Sequence, residues 1–167
     1  MSLAQDIAIL KGIPMLADFQ DDQLRLLAFS AESMDYRDGQ LLFDEDERAD
    51  GGLVVASGSV SLQRRVSDGF QEADTASAGS LLGESTMLVE GRRPCRAIAV
   101  GDVRIIRIRR ALFKRMIQEY PELAKRLFDL HAARYRATAA ALGPIGDKMA
   151  ELEQVSASRG LRRARDD

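Results

Sequence analysis

The sequence predicts an α+β fold in which short N-terminal helices precede a section of short β-strands and a long helix follows it. Apolar residues recur at steps of three and four near both ends of the chain. Glycines divide the middle of the chain into short apolar or alternating segments. The length of 167 residues is that of one ordinary domain. The strand section is typical of a β-sandwich, a jelly roll or a barrel.

Composition narrows the class of protein. Hydrophobic residues make up 46% and charged residues 30% of the chain, a globular balance. The net charge of −2 provides no basic field for nucleic acid or an anionic membrane. The single cysteine, Cys95, excludes an internal disulfide and suits a reducing compartment. Residues 1–10 lack a signal-peptide pattern, and no apolar stretch is long enough to span a bilayer. We therefore expect a soluble, cytoplasmic protein.

Two short helices joined by a proline turn are predicted in the first 30 residues. Leu10 belongs to the first apolar stripe, and Pro14 interrupts it. Asp21 opens the second helix, which places Leu24 and Leu27 on one face.

The β section is predicted between Tyr36 and Arg110. Ser67-Asp68-Gly69 is a hairpin signal between two of its strands. The segment Leu82–Leu88 does not have the pattern of a strand. The predicted strands are Gln40–Phe43, Leu53–Ala56, Val60–Val66, Phe70–Ala76, Ala97–Val100 and Val103–Ile108.

Helical periodicity returns after Arg109. A first helix ends near Tyr120, and a second begins at Pro121, a residue suited to a first helical turn. The second helix is predicted to continue to Gly143, which gives it roughly 20 residues and a length of about 30 Å. We assign residues 1–143 to one domain and residues 144–167 to a short polar extension.

The candidate site is the glycine-rich segment Gly79–Leu88 together with Gly91–Ala97. A glycine such as Gly83 lets the backbone approach an anion closely, and the first turn of a short helix offers free N–H groups. An arginine can meet phosphate oxygens with a planar fork of donors, and Glu84 can accept from a ribose hydroxyl. Gly83 and Glu84 alone are much better explained as a turn glycine and an acidic residue at a helix start, because the dipeptide is common. An arginine nine residues after Glu84, within a β section that precedes a long helix, favours binding.

These segments resemble the cyclic-nucleotide-binding domain family. The resemblance extends from about Leu10 to Gly143 and includes Ile13–Phe19, Asp38–Asp46, Leu53–Val60 and Asp102. Gly79–Glu84 and Arg93–Ala97 correspond to the family's phosphate-binding cassette, and the name cassette is used for residues 79–97 as a whole. It implies a β-roll, a double-stranded jelly-roll-like fold, with N-terminal helices and a long C-terminal helix. It also implies a non-enzymatic regulatory domain that binds cAMP or cGMP, with Glu84 on the ribose hydroxyl and Arg93 on the phosphate. The nucleotide is the ligand, and no cofactor is expected.

The cassette departs from the family pattern at several positions. Ser85 and Thr86 follow Gly83-Glu84, where the family usually has Leu or Met and then Ala. Cys95 and Arg96 end the second segment, and Arg96 replaces a Ser or Thr hydroxyl. Arg96 would either supply a second positive charge to the phosphate or fill the pocket with its bulk. The candidate ligand-binding set therefore includes Ser85, Cys95 and Arg96. The alternative function is a degenerate β-roll that assembles with other proteins and binds no nucleotide.

The long helix has a predicted role in the site and in assembly. By the same resemblance, Thr138 falls where the family can contact the purine base, although an ordinary helical threonine is an equal explanation. The apolar stripe of this helix would either pack on its own β-roll or form a homodimer seam, and we expect the dimer. The segment after Gly143 lacks two clear apolar helices, so we expect no specific DNA binding by this chain. One histidine and one cysteine do not suffice for a cupin-type metal site or a catalytic triad, so we assign no metal ligands or catalytic residues.

Overall fold

The structure is a computed structural model that describes residues 2–130, 132–134, 136 and 137. Backbone contacts divide the chain into two units, Met1–Ala124 and Lys125–Asp167, which are described separately. The helices of the first unit are α1 (Leu3–Lys11), a 3-10 helix (Pro14–Leu16), α2 (Asp21–Ser30), a 3-10 helix (Ser85–Met87) and α3 (Arg110–Glu119). Its strands are β1 (Glu32–Tyr36), β2 (Leu41–Phe43), β3 (Arg48–Ala49), β4 (Gly51–Val66), β5 (Gly69–Ser77), β6 (Leu81–Leu82), β7 (Gly91–Arg92) and β8 (Arg96–Arg109).

The strands form a β-roll, and the chain has the predicted α+β fold. The order β1-β8-β4-β5 defines the main antiparallel sheet, in which β2 also pairs with β8 and β6 with β4. Strands β3 and β7 form a separate two-stranded ladder. Successive side chains of a strand point to opposite faces, so every second residue along parts of β4 and β8 faces the interior. Most of these inward residues are small or branched. The buried cluster comprises Phe43, Leu53, Val55, Val60, Ala76, Ala97, Ala99, Val103 and Ile105.

Buried apolar side chains of the N-terminal segment, such as Leu10 and Leu24, are accompanied by an ion pair to the roll and an aromatic contact to α3. The guanidinium of Arg104 on β8 donates to Asp6 Oδ2 at 3.2 Å and to Ser33 Oγ at 2.9 Å. The rings of Phe19 and Phe113 stack with their centres 6.1 Å apart. These contacts fix α1 and the segment before α2 against β8 and α3.

Helix α3 and the start of the next helix agree with the sequence prediction. Phe113 and Met116 of α3 are buried, and a new helix begins at residue 121. In the second unit, residues 125–130, 132–134, 136 and 137 are helical. The predicted end of this helix at Gly143, Thr138 and the extension 144–167 lie outside the described residues. Among the described residues, no helix is both long and apolar enough to cross a membrane.

The strands differ from the prediction in their continuity. The predicted pairs of segments on either side of Gly58 and of Gly101 are the single strands β4 and β8. Both glycines adopt positive φ, and the β4–β8 register shifts beside Gly58, so the chain bulges there without ending the ladder. The sequence analysis also missed β1, because it placed the start of the β section at Tyr36. Strand β1 has alternating half-buried and exposed residues, but over only 5 residues.

Gly58→Ala is predicted to destabilise the roll more than Gly101→Ala. Both glycines have a left-handed backbone, with φ of 82° and 69°, which costs another residue about 1–2 kcal/mol. A Cβ at Gly58 would also overlap the carbonyl oxygen of Asp102, whereas a Cβ at Gly101 meets nothing within 4 Å. Urea unfolding of the two variants measures the difference. Equal losses would show that the β4–β8 bulge yields to the added methyl group.

Candidate functional site

The first cassette segment is a tight turn that lies on the start of β4. Gly83 links β6 to the 3-10 helix Ser85–Met87 with a φ of 79°. The hydroxyl of Thr86 lies 2.7 Å from the carbonyl oxygen of Gly83 and 2.9 Å from that of Gly51. Thr86 is buried, so its hydroxyl holds the turn closed and against β4 in a site shielded from water. In the sequence, Thr86 is marked only by its replacement of a small apolar residue in the family pattern that the chain resembles.

Arg93 is the central side chain of the site, and only 6% of its surface is exposed. Its Nη2 donates to the carbonyl oxygen of Gly51 at 3.1 Å, and its guanidinium carbon lies 4.5 Å from the centre of the Phe43 ring. Within the described residues, its Nη1 is buried without a hydrogen-bond partner. Gly83 packs directly on this group, because a Cβ there would overlap Nη1. The site thus holds a buried cation whose Nη1 group has no hydrogen-bond partner among the described residues.

The surroundings of Arg93 have opposing effects on the pKa of its guanidinium. Burial lowers the pKa of the guanidinium, while the carboxylates of Asp50 and Glu47 act in the other direction. An arginine side chain nevertheless remains protonated in proteins. The Arg93 backbone is fixed as well. Its N–H donates to the backbone carbonyl oxygen of Glu47 at 2.8 Å, and its carbonyl oxygen accepts from the backbone N–H of Asp46 at 2.8 Å. The charge is therefore permanent and its position is defined.

Arg93 lines a cavity of about 260 Å³ at one end of the roll. The cavity lining contains both apolar or aromatic residues and charged residues. Among the charged residues, Arg107 pairs with Asp50 and lies 3.8 Å from Glu32. A wider groove of about 560 Å³, lined by residues such as Asp35 and Asp102, contains no cassette residue. The smaller cavity is lined by Met34, Tyr36, Leu42, Phe43, Glu47, Arg48, Asp50, Leu53, Arg93 and Arg107.

Comparison with known proteins identifies the family. A model of the cyclic nucleotide-binding domain matches residues 33–120, which is more than half of the chain. The chain belongs to the cyclic nucleotide-binding domain family. Its matched region contains β1 to β8, the buried Arg93 and α3.

Relatives of this cyclic nucleotide-binding domain include regulators and enzymes. The Cyclic AMP receptor protein of Thermus thermophilus is 30% identical over 129 residues, which are 76% of this chain and 59% of that protein. Lysophospholipase nte1 of Neurospora crassa is 27% identical over 110 residues, which are 65% of this chain but 7% of the enzyme. The chain thus spans less than two thirds of the length of these curated relatives.

Solved structures show the same fold. The N-terminal domain of a transcriptional regulator from Streptomyces coelicolor superimposes with a TM-score of 0.75 at 27% identity, covering 80% of this chain and 94% of that one. A cyclic nucleotide-binding-like protein from Brucella abortus gives a TM-score of 0.64 at 33% identity, covering 68% of this chain and 97% of that one.

The structure brings some of the predicted site residues together. Gly83 contacts the Arg93 guanidinium, and the half-buried Glu84 follows it directly. Ser85 is exposed at the start of the 3-10 helix. Cys95 is half-buried against the interior cluster, and burial raises the pKa of its thiol, so the thiol is protonated at neutral pH. Thr138 lies outside the described residues.

Arg96 points to a different set of partners. Its Nε and Nη2 donate to the two carboxylate oxygens of Asp44, each at 2.9 Å. The guanidinium carbon also lies 3.6 Å from the centre of the Phe70 ring. Arg96 is absent from the lining of the 260 Å³ cavity, so it neither fills that cavity nor places its charge beside Arg93 there. It joins β8 to the end of β2 and to the β4–β5 hairpin.

Asp44→Asn is predicted to lower the melting temperature at pH 7, and the difference from wild type should shrink as the pH falls below about 4. The bonds from Arg96 lower the pKa of the Asp44 carboxyl. A carboxyl with a lowered folded-state pKa stabilises the fold above its unfolded-state pKa and loses that effect as the pH falls through the folded-state value. Calorimetric melting across pH measures this change. Asp46→Asn, at an exposed carboxylate 3.9 Å from Arg92, is the control and should show little effect. Equal effects of the two variants would contradict a specific Asp44–Arg96 contribution.

Proposed function

We propose that this domain is a regulatory module that binds a cyclic nucleotide, cAMP or cGMP, in the cavity beside Arg93. The observation that carries the proposal is the buried Arg93 guanidinium, whose Nη1 group lacks a partner within the described residues. A buried cation with unused donors is costly unless an anion completes its surroundings. The singly charged phosphate of a cyclic nucleotide supplies such an anion. The name of the relative from Thermus thermophilus, Cyclic AMP receptor protein, supports the same ligand class.

The proposed roles follow from position. Arg93 would bind the phosphate oxygens, and Gly83 would let the turn backbone approach the same group. Glu84 would accept from the ribose 2′-hydroxyl, and Ser85 lies next to it on the exposed side of the turn. Apolar residues such as Leu53 and Phe43 would contact the sugar or the base. Arg96 is already neutralised by Asp44, so we assign phosphate binding to one arginine.

Binding would require a small rearrangement. Arg93 Nη1 is buried against Gly83, and Nη2 donates to Gly51 in this structure. The single negative charge of a cyclic phosphate is shared by its two non-bridging oxygens, and each of them is a stronger acceptor than a carbonyl oxygen. We therefore infer that the ligand enters as the turn at Gly83 moves away from Arg93.

We further propose that the nucleotide signal is transmitted through the helix predicted over 121–143, and that this helix forms a homodimer. In this proposal residues 1–143 act as one domain and Thr138 contacts the base. A ligand held by both the cassette and the helix would favour the conformation in which they are close, by its difference in affinity for the two states. The competing function is a protein assembly module in which Arg93 is structural, consistent with its existing bond to Gly51.

Arg93→Ala is predicted to weaken binding by about 1.5–3 kcal/mol, the scale of a hydrogen bond to a charged group. Titration calorimetry with cAMP and with cGMP on folded protein measures this loss. Arg93→Lys should recover only part of it, because an ammonium lacks the planar fork. The matched control is Arg92→Ala, since Arg92 is exposed and donates to the Asp46 carbonyl. Absent or millimolar binding by folded wild-type protein would favour the assembly module instead.

Nucleotide is predicted to slow hydrogen exchange in residues 133–142 as well as in the cassette. Thr138→Ala should reduce the protection of the helix more than it reduces protection of residues 83–97. Exchange mass spectrometry with and without each nucleotide measures both regions. Protection confined to the cassette would mean that the domain binds its ligand without using this helix as the transmitter.

A further inference from the structure

Arg110, the first residue of α3, holds parts of two separate segments. Its backbone N–H donates to the carbonyl oxygen of Asp50 at 2.6 Å. Its Nη1 lies 3.1 Å from the carbonyl oxygen of Ala49, 3.3 Å from that of Thr86 and 3.4 Å from that of Val89. The side chain is 20% exposed, and its Nη2 lies 3.8 Å from Glu90. One guanidinium therefore bridges the β3–β4 connection, Ala49–Gly51, and the cassette turn, residues 85–89.

The same short stretch of backbone also anchors Arg93. The carbonyl oxygens of Ala49, Asp50 and Gly51 are consecutive acceptors, the first two for Arg110 and the third for Arg93 and Thr86. The cassette turn ends in carbonyl groups that a short helix cannot satisfy within itself. Arg110 supplies donors to two of these groups from outside the turn. A residue of α3 thus bonds the part of the cassette at residues 85–89, which precedes Arg93 in the chain.

We propose that Arg110 is a positioning residue that holds residues 85–89 of the cassette on the β3–β4 connection and links that turn to the start of α3. The carbonyl groups that its guanidinium meets belong to Ala49, Thr86 and Val89, which do not line the Arg93 cavity, so we infer an indirect effect on the ligand. A guanidinium suits this role because its several donors, arranged in a plane, can meet more than one carbonyl group. The consequence for nucleotide affinity rests on the proposed function, whereas the positioning of the turn does not.

Hydrogen exchange on the ligand-free chain tests the positioning directly. The amides of Thr86, Met87, Leu88 and Val89 are hydrogen-bonded within the turn and give measurable protection. Arg110→Met keeps the aliphatic stem but removes the donors, and we expect exchange in residues 85–89 to accelerate at least about fivefold. Amides of the central strands at 97–106 should be unchanged. The matched control is Arg109→Met, whose guanidinium is 2.7 Å from Glu32 and does not bond the cassette.

Two results of this experiment would overturn the proposal. One is unchanged exchange at 85–89 in Arg110→Met. The other is a uniform increase across both regions, which would show that Arg110 supports only overall stability. If Arg110→Met does not fold, Arg110→Lys replaces it, and a smaller acceleration confined to residues 85–89 is expected, because an ammonium keeps the charge and some donors but loses the planar geometry of the guanidinium.

Titration with cAMP and cGMP provides the second readout. Arg110→Met is expected to weaken nucleotide affinity at least about fivefold, with partial rescue in Arg110→Lys and no change in Arg109→Met. If wild-type protein binds neither nucleotide while Arg110→Met still accelerates exchange selectively at residues 85–89, the proposed function is rejected and the positioning role is retained. Wild-type binding that is unaffected by Arg110→Met would reject the link between the turn position and affinity.

Discussion

The buried charge of Arg93 is the constraint around which the cassette is organised. A guanidinium removed from water must recover hydrogen bonds and opposite charge, or it destabilises the fold. Here the Gly51 carbonyl, the face of Phe43 and nearby carboxylates provide part of that compensation. Gly83 is needed because any side chain at that position would occupy the space of Nη1. Within the described residues, Nη1 of the same guanidinium is buried without a hydrogen-bond partner.

The β3–β4 connection is the backbone to which the separate parts of the site attach. Its carbonyl groups accept from Thr86 and Arg93 on the cassette side and from Arg110 on the α3 side. The Asp50 side chain in the same connection pairs with Arg107, which lines the cavity. Hydrogen bonds to one short stretch of backbone therefore join the Gly83 turn, Arg93 and the start of α3.

Arg96 is a charged residue of the candidate cassette whose contacts are structural. Two bonds to Asp44 and a contact with Phe70 satisfy its charge at the end of β2. The domain thereby gains a cross-link between β8, β2 and the β4–β5 hairpin. Arg93, unlike Arg96, lines the 260 Å³ cavity and has a guanidinium nitrogen without a hydrogen-bond partner among the described residues.

The sequence by itself determined the helix–strand–helix order and indicated Gly83 and Arg93 as candidate site residues, because periodicity, glycine spacing and motif register are local properties. It missed β1, whose 5 residues are too few for a secure alternation, and it divided β4 and β8 at glycines that form bulges within continuous strands. Only the tertiary structure decided the partners of Arg96 and the roles of Thr86 and Arg110. Their partners lie 52 residues away for Arg96, 35 for Thr86 and 61 for Arg110, and strand pairing alone brings such distant groups within hydrogen-bond reach.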